Sequence, residues 1–245
     1  MRFKVVFKSK NKKLPIGYRT LFSSMFKSIL EKSDEEYFKE VYFYEEKKNK
    51  KIKNLNFSVY LQNFKIGSNE IEVDGDIILN ITTPDFRMGI DLYNGLVKLK
   101  QFTFKKKYEL NKISLTKVKE SVIKDKLNVF KTLSPIYIKD KDNNDLDINN
   151  EKFNKELNYI SDKYLKEFRG FGLKEELNFT PIKMKKQICK EEIEDFTRIT
   201  GKKYLLVKCY SGIFSLEGDP EDVDILLKSG LGFRRSFGFS MISIV

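Results

Sequence analysis

The residues of this 245-residue chain best suited to chemistry stand near its end, in the run Gly230-Leu231-Gly232-Phe233-Arg234-Arg235-Ser236-Phe237-Gly238-Phe239-Ser240. Gly230, Gly232 and Gly238 free the backbone for positive φ and for close approach to another surface. Arg234 and Arg235 place two permanent charges in that freedom, and Ser236 adds a small donor. A mobile, side-chain-poor backbone with arginines at its tip suits a phosphate backbone, because amide N–H groups and guanidinium forks both satisfy phosphate oxygens. Two familiar phosphate loops are excluded. A dinucleotide fingerprint needs a third glycine where Arg235 stands and leads from a strand into a helix, and a Walker loop ends in Gly-Lys-Ser/Thr. The glycines taken alone fit a helix C-cap followed by a surface turn equally well.

What the chain lacks narrows its chemistry. It contains no histidine, which rules out Cys2His2 and histidine-carboxylate metal sites and the histidine-dependent nucleophilic triads. Its two cysteines, Cys189 and Cys209, build neither a disulfide framework nor a zinc site. Asp140, Asp142, Asn144 and Glu151 imitate a calcium loop, but Asp145 replaces the turn glycine and a strand precedes them, so they read as a solvated acidic loop. No metal or cofactor is expected. Forty-seven basic against 35 acidic residues give a net charge of +12, which favours a polyanionic partner. No apolar run has membrane-spanning length, and Phe3, Val5 and Phe7 alternating with Lys4 and Lys8 read as a strand rather than a signal peptide, so a cytoplasmic protein is expected.

The elements that must position the loop follow from periodicity. After the first strand, Leu14-Pro15 opens a helix whose apolar face is Tyr18, Leu21, Phe22, Met25, Phe26, Ile29 and Leu30. A short second helical piece runs through Tyr37, Phe38 and Val41. A basic run, Lys47, Lys48, Lys50, Lys51 and Lys53, follows the aromatics Tyr42, Phe43 and Tyr44, a mixture that suits single-stranded RNA. Leu55, Phe57, Val59 and Leu61 alternate as a strand, and Asp74-Gly75 marks a hairpin between Ile71-Val73 and Ile77-Ile81. A helix from Thr83-Pro84 through Val97 and a strand from Phe102 complete a strand-helix-strand-strand-helix-strand order, the ferredoxin-like plan.

The second half repeats that order without repeating its sequence. A strand over Val129–Ile138 bends at Pro135, and a helix carries Phe153, Leu157, Ile160, Tyr164 and Phe168. A β-rich region spans Leu177–Cys189, and another strand runs from Tyr204 to Leu216. Asp219-Pro220-Glu221-Asp222 starts a helix that Gly230 ends, and a last strand is expected from Phe237 to the terminus. The chain therefore reads as an α+β protein of two tandem ferredoxin-like, RRM-like βαββαβ domains, residues 1–128 and 129–245. Further lysines at 105–107, at 183, 185 and 186, and at 202–203 add to a phosphate-tracking surface if they share a face.

Two such units, a basic surface and a C-terminal glycine loop resemble the CRISPR-associated repeat-processing endoribonucleases of the repeat-associated mysterious protein superfamily. Met1-Arg2-Phe3, Leu14-Pro15, Asn56-Phe57-Ser58, Leu133-Ser134-Pro135-Ile136 and Gly230–Ser240 carry the resemblance, with Ser240 replacing the family's last glycine. It implies binding of CRISPR repeat RNA and metal-independent cleavage of precursor CRISPR RNA, the 2′-hydroxyl attacking the adjacent phosphate. It also implies a base after the first helix, a tyrosine on it and a lysine further on. Here Phe26 stands at the tyrosine position, Lys39 at the usual histidine, and Lys53 at the lysine. Lys39 and Lys53 are thus the catalytic candidates, with Tyr37 in reserve, and a lysine acts as base only where its pKa is depressed. Gly230, Gly232, Arg234, Arg235, Ser236, Gly238, Lys50 and Lys51 are the RNA-binding candidates. Two alternatives stay open: a binder of repeat RNA without turnover, and a structural subunit of a CRISPR effector complex. The expected partners are repeat RNA and effector-complex subunits, with a homodimer compatible and no membrane.

Overall fold

The computed structural model describes residues 1–44, 47–48 and 52–245. The chain divides into two compact units: Met1–Lys53 with Val59–Val118 and Lys190–Leu205, and Asn54–Ser58 with Lys119–Cys189 and Leu206–Val245. The segment 190–205 thus folds with the first half of the chain, and 54–58 with the second.

The first unit contains, in order, β1 (Arg2–Ser9), β2 (Lys13–Pro15), α1 (Tyr18–Ser33), α2 (Glu35–Tyr42), β3 (Phe43–Tyr44), β4 (Lys47–Lys48), the later half of β5 (Asn56–Leu61), whose residues 56–58 count with the second unit, β6 (Phe64–Ile66), β7 (Glu70–Val73), β8 (Ile77–Thr82), α3 (Phe86–Lys98), β9 (Gln101–Phe104) and β10 (Tyr108–Lys117). Its main sheet has the order β5-β8-β1-β10-β9. β1 lies between two antiparallel neighbours, Phe3 opposite Ile81 on one side and Lys117 on the other. Alternation puts Phe3, Val5 and Phe7 on the buried face with Ile77, Leu79 and Ile81. Leu21, Phe22, Met25, Phe26 and Leu30 of α1 are buried as well, each contributing about 1.5–3 kcal/mol of apolar burial. On α3, Gly95 lets the two helices approach, since a Cβ there would overlap Ile29 of α1. Asp34 and Asp85 cap α2 and α3, accepting from Tyr37 N and Met88 N. Strand, α1, β5, β8, α3 and β10 reproduce the ferredoxin-like order.

Two local expectations are corrected here. Pro15 does not open the helix: it sits in β2 opposite Glu70, at one end of the small sheet β2-β7-β6, where its missing N–H is tolerated, and α1 begins at Tyr18. Nor does Asp74-Gly75 join a hairpin. β7 pairs with β2 and β6, whereas β8 joins the main sheet beside β1. The chain changes sheets at this turn, because Asp74 N is taken by the Asn63 carbonyl and its carboxylate by Lys12. β3 and β4 form a separate two-stranded ribbon, with Phe43 opposite Lys48.

The second unit contains β11 (Leu127–Thr132), α4 (Lys152–Arg169), β12 (Asn178–Glu191), β13 (Leu205–Glu217), α6 (Pro220–Ser229) and β14 (Ile242–Ile244); α5 (Glu194–Thr200), which lies between β12 and β13 in the chain, goes with the first unit. The order β12-β13-β11-β14 repeats that of the first sheet. Phe214 stacks on Phe130 and Phe179 at ring separations of 5.7 and 4.7 Å. Asp219 caps α6 by accepting from Glu221 N and Asp222 N, with Pro220 in the first turn. The last strand is shorter than expected. Positive φ at Gly232, Arg234, Gly238 and Ser240 curls the backbone, so ladder pairing starts only at Ile242, opposite Thr132. Among the described residues no helix is long and apolar enough to cross a membrane.

Candidate nucleic-acid interface

In the second unit the glycine segment is a pinned strap, not the mobile loop expected. Leu231 N bonds Ser240 O, Ser240 N bonds Pro135 O, and Phe233 N bonds Tyr137 O, each at 2.9 Å. Ser134 adds a further tie, its hydroxyl accepting from Met241 N at 2.9 Å. Leu231, Phe239 and Met241 are fully buried and act as anchors. The Leu133-Ser134-Pro135-Ile136 run is therefore the seat on which the segment lies. Gly230 leaves α6 at φ 90°, ψ 159°, a region open essentially to glycine.

The two arginines have different surroundings. Arg235 is 4% exposed. Its guanidinium lies 3.8 Å from the Tyr164 ring centroid, and Nη1 donates to the Gly230 carbonyl at 3.4 Å. Burial draws its pKa down to about 10, so it stays charged at neutral pH. Arg235 thus braces the strap from inside. Arg234, in the left-handed region at φ 55°, is half-exposed with its guanidinium 5.8 Å from the Tyr137 ring centroid. Ser236 is half-exposed beside it, while Gly230, Gly232 and Gly238 are buried.

The first unit holds the catalytic candidates. Lys39 lies on α2 with its side chain 63% exposed and its Nζ 2.7 Å from Glu35. Hydrogen bonding and charge from Glu35 raise its pKa, which keeps it an ammonium. The Tyr37 hydroxyl donates to Asp85 at 3.4 Å, and Arg87 lies over its ring at 4.2 Å. Burial, then Asp85, pushes the phenol's pKa up. Phe26 is core. Lys53 differs. Burial, and then the charge of Lys27, lowers its pKa. The ammonium groups of Lys27 and Lys53 stand 5.3 and 5.6 Å from the centroid of one ring, Tyr42. Burial lifts the Tyr42 phenol to about 12, so it remains protonated as a donor.

The structure therefore gathers Lys53 with Lys27 and Tyr42. Sequence reasoning noted Tyr42 only as an aromatic neighbour and missed Lys27, because a lysine on the polar face of α1 looks like any solvated lysine. Lys50 and Lys51 lie outside the described residues. Of the other expected basic positions, Lys105, Lys107 and Lys186 pair with Glu192, Glu70 and Asp147, and Lys203 donates to Asn69. The Asp140 carboxylate is used within its own loop, accepting from the backbone N–H groups of Asp142 and Asn144. Of the candidates, Arg234 and Ser236 present a charge and a hydroxyl at the half-exposed side of the strap, and Lys53 is the lysine whose surroundings lower its pKa.

The sequence profile of CRISPR associated protein Cas6, C-terminal, matches residues 117–244. No curated protein sequence matches the chain. Among solved structures, the chain is similar to one described as a Cas6-related gene product from Pyrococcus furiosus, at a TM-score of 0.78 and 19% identity over 100% of this chain and 98% of that one. It is also similar to a RAMP protein binding different RNA substrates, with a TM-score of 0.77 and 20% identity over 100% and 99% of the two chains. A third, described as CRISPR associated protein Cas6, has a TM-score of 0.72 and 21% identity over 100% and 99%. At such identities these likenesses establish the tandem ferredoxin-like fold.

Proposed function

The chain belongs to the Cas6 family of CRISPR-associated proteins, and from that premise we propose that it binds CRISPR repeat RNA and cuts precursor CRISPR RNA within the repeat, without a metal, by attack of a 2′-hydroxyl. The observation that carries the catalytic part is the half-buried Lys53 beside Lys27 over Tyr42. A lysine with a lowered pKa supplies a larger fraction of neutral amine near physiological pH, which a general base requires. Lys53 accepts the 2′-hydroxyl proton as O2′ bonds to phosphorus and the bond to O5′ breaks. The Lys27 ammonium neutralises the phosphorane charge and gives a proton to the departing O5′, leaving a cyclic phosphate and a 5′-hydroxyl. Tyr42, still protonated, hydrogen-bonds the phosphate. Lys39 and Tyr37 take supporting places on α2. Arg234, Ser236 and the backbone of Gly230–Gly238 hold the RNA backbone, and Arg235 keeps that backbone in shape. A structure described as a RAMP protein binding different RNA substrates, which this chain resembles, supports an RNA partner.

The test is single-turnover cleavage of repeat RNA in excess chelator, with affinity measured separately. A defined cut by the wild type, lost in Lys53→Ala at retained affinity, is expected. A chain with no histidine and two cysteines offers few ligands for a transition metal, so chelation should leave the rate unchanged. Loss of activity in chelator restored by magnesium overturns the mechanism. A second reading, a repeat-RNA binder without turnover, is favoured by the ion-paired Lys39 and the core position of Phe26; tight binding with no cut selects it.

A further inference from the structure

The second unit carries a basic face that no site residue above accounts for. On α4, Lys152, Lys155, Tyr159 and Lys163 follow one another at intervals of three, four and four, which places them in a single stripe. All four are exposed, and Tyr159 keeps 58% of its surface free. The stripe forms one wall of a groove of about 720 Å³ whose other wall is the Lys139–Asn143 loop and Phe233. Lys139 holds its ammonium 5.4 Å from the Phe233 ring centroid. Phe233 adjoins Arg234 and is bonded through its N–H to Tyr137 O, so the groove opens onto the glycine strap. Three acids also line it, Asp140, Asp142 and Glu156, against five lysines, and the Asp140 carboxylate is occupied by the N–H groups of its own loop.

From this arrangement we propose that the α4 face is a second RNA-contact surface, which takes a single-stranded stretch of the RNA continuing from the strap. The inference rests on the RNA-binding reading above. Lysines spaced along a helix track phosphates, and exposed aromatics between them offer stacking platforms to unpaired bases. A duplex keeps its bases inside and has no use for Tyr159 and Phe233. That mixture is why single-stranded RNA is assigned here rather than a helix.

The experiment titrates the full chain with repeat RNA carrying a single-stranded extension, across a range of salt concentrations. The triple variant Lys152→Ala, Lys155→Ala, Lys163→Ala is expected to lose more than tenfold in affinity. Its log-affinity against log-salt line should be shallower by about 2, from roughly 0.7 per phosphate contact. Tyr159→Ala should lose about fivefold or more at an unchanged slope, as a stacking contact would. Replacing the three lysines by arginine retains the slope, which separates charge from any effect on folding. An unchanged affinity and slope in the alanine variant, while Arg234→Ala weakens the same RNA, overturns this inference and leaves the RNA-binding reading intact. Failure of the wild type to bind overturns both. Stronger loss for a duplex than for the single strand overturns the single-strand assignment.

Discussion

Asn56 and Gly230 share one space: the Asn56 side-chain amide stands where a Cβ on residue 230 would have to go. Asn56 is fully buried, and neither its Nδ2 nor its Oδ1 has a hydrogen-bond partner. A residue of β5 is thereby fitted against the start of the glycine strap, although 174 positions separate them in the chain. Close contact and a glycine-only backbone region thus coincide at the point where α6 ends.

Gly230→Ala is expected to lower stability by about 1–3 kcal/mol from the backbone region alone, and by more from the overlap. In an Asn56→Ala background the loss should shrink without vanishing, since the overlap with Asn56 is relieved while the φ strain and the 2.8 Å approach to the Ser240 carbonyl remain. Thermal or denaturant unfolding of the four proteins of this double-mutant cycle measures it. Equal losses in both backgrounds would show that the two side chains do not couple.

The arginines of the strap should separate cleanly. Arg234→Ala is expected to weaken repeat-RNA binding and to flatten the salt slope by about 0.7–0.9, one phosphate contact, at an unchanged melting temperature. Arg235→Ala should lower the melting temperature, because it removes a desolvated cation over Tyr164 worth about 2 kcal/mol. Binding isotherms at several salt concentrations beside calorimetric melts decide the matter, and an exchange of these two phenotypes would refute it.

Lys53 predicts a pH profile with a definite sign. A neutral amine acting as base makes the cleavage rate rise with pH and level off at the amine's pKa, which lies below the ordinary lysine value of 10.5. Lys27 is a like charge that lowers that pKa as well as the acid for O5′, so Lys27→Ala should lower the maximal rate and move the break to higher pH. Single-turnover rates across the alkaline range test this. A Lys27→Ala profile with an unshifted break would remove Lys27 from the site.

Glu70 should govern acid stability in the first unit. Hydrogen bonds from Lys107 and Lys13 hold its pKa at about 2, below the ordinary 4.5. A depressed carboxylate contributes stability above its unfolded value and loses it as pH falls through the folded one, here between about 4.5 and 2. Glu70→Gln should be less stable than wild type at neutral pH, the gap closing as pH falls through that window. Urea midpoints over the acid range read it directly, and a gap that stays constant would exclude Glu70 as the source.

Much of the architecture was legible in the residues alone, because it rests on local periodicity. Phe3-Val5-Phe7 alternate, Leu21 to Leu30 recur at helical spacing, and Asp219-Pro220 caps α6, so burial of one face selects each element whatever the rest of the chain does. Gly230, Arg234 and Ser236 were likewise marked by type and spacing. What needed tertiary structure were relations between distant positions. Pro15 in β2 and the change of sheet at Asp74 depend on which strand edge is available, and no local pattern encodes that. The turn at Lys105-Lys106 was hidden for another reason: both residues hold positive φ without glycine or asparagine, so the usual hairpin signal is missing. Burial separated Arg235 from Arg234, two identical side chains one residue apart. The same held for the lysines, since a lysine's pKa is set by burial and by neighbouring charge. Packing beside Lys27 and Tyr42 set Lys53 apart from Lys39, which Glu35 keeps protonated on the surface.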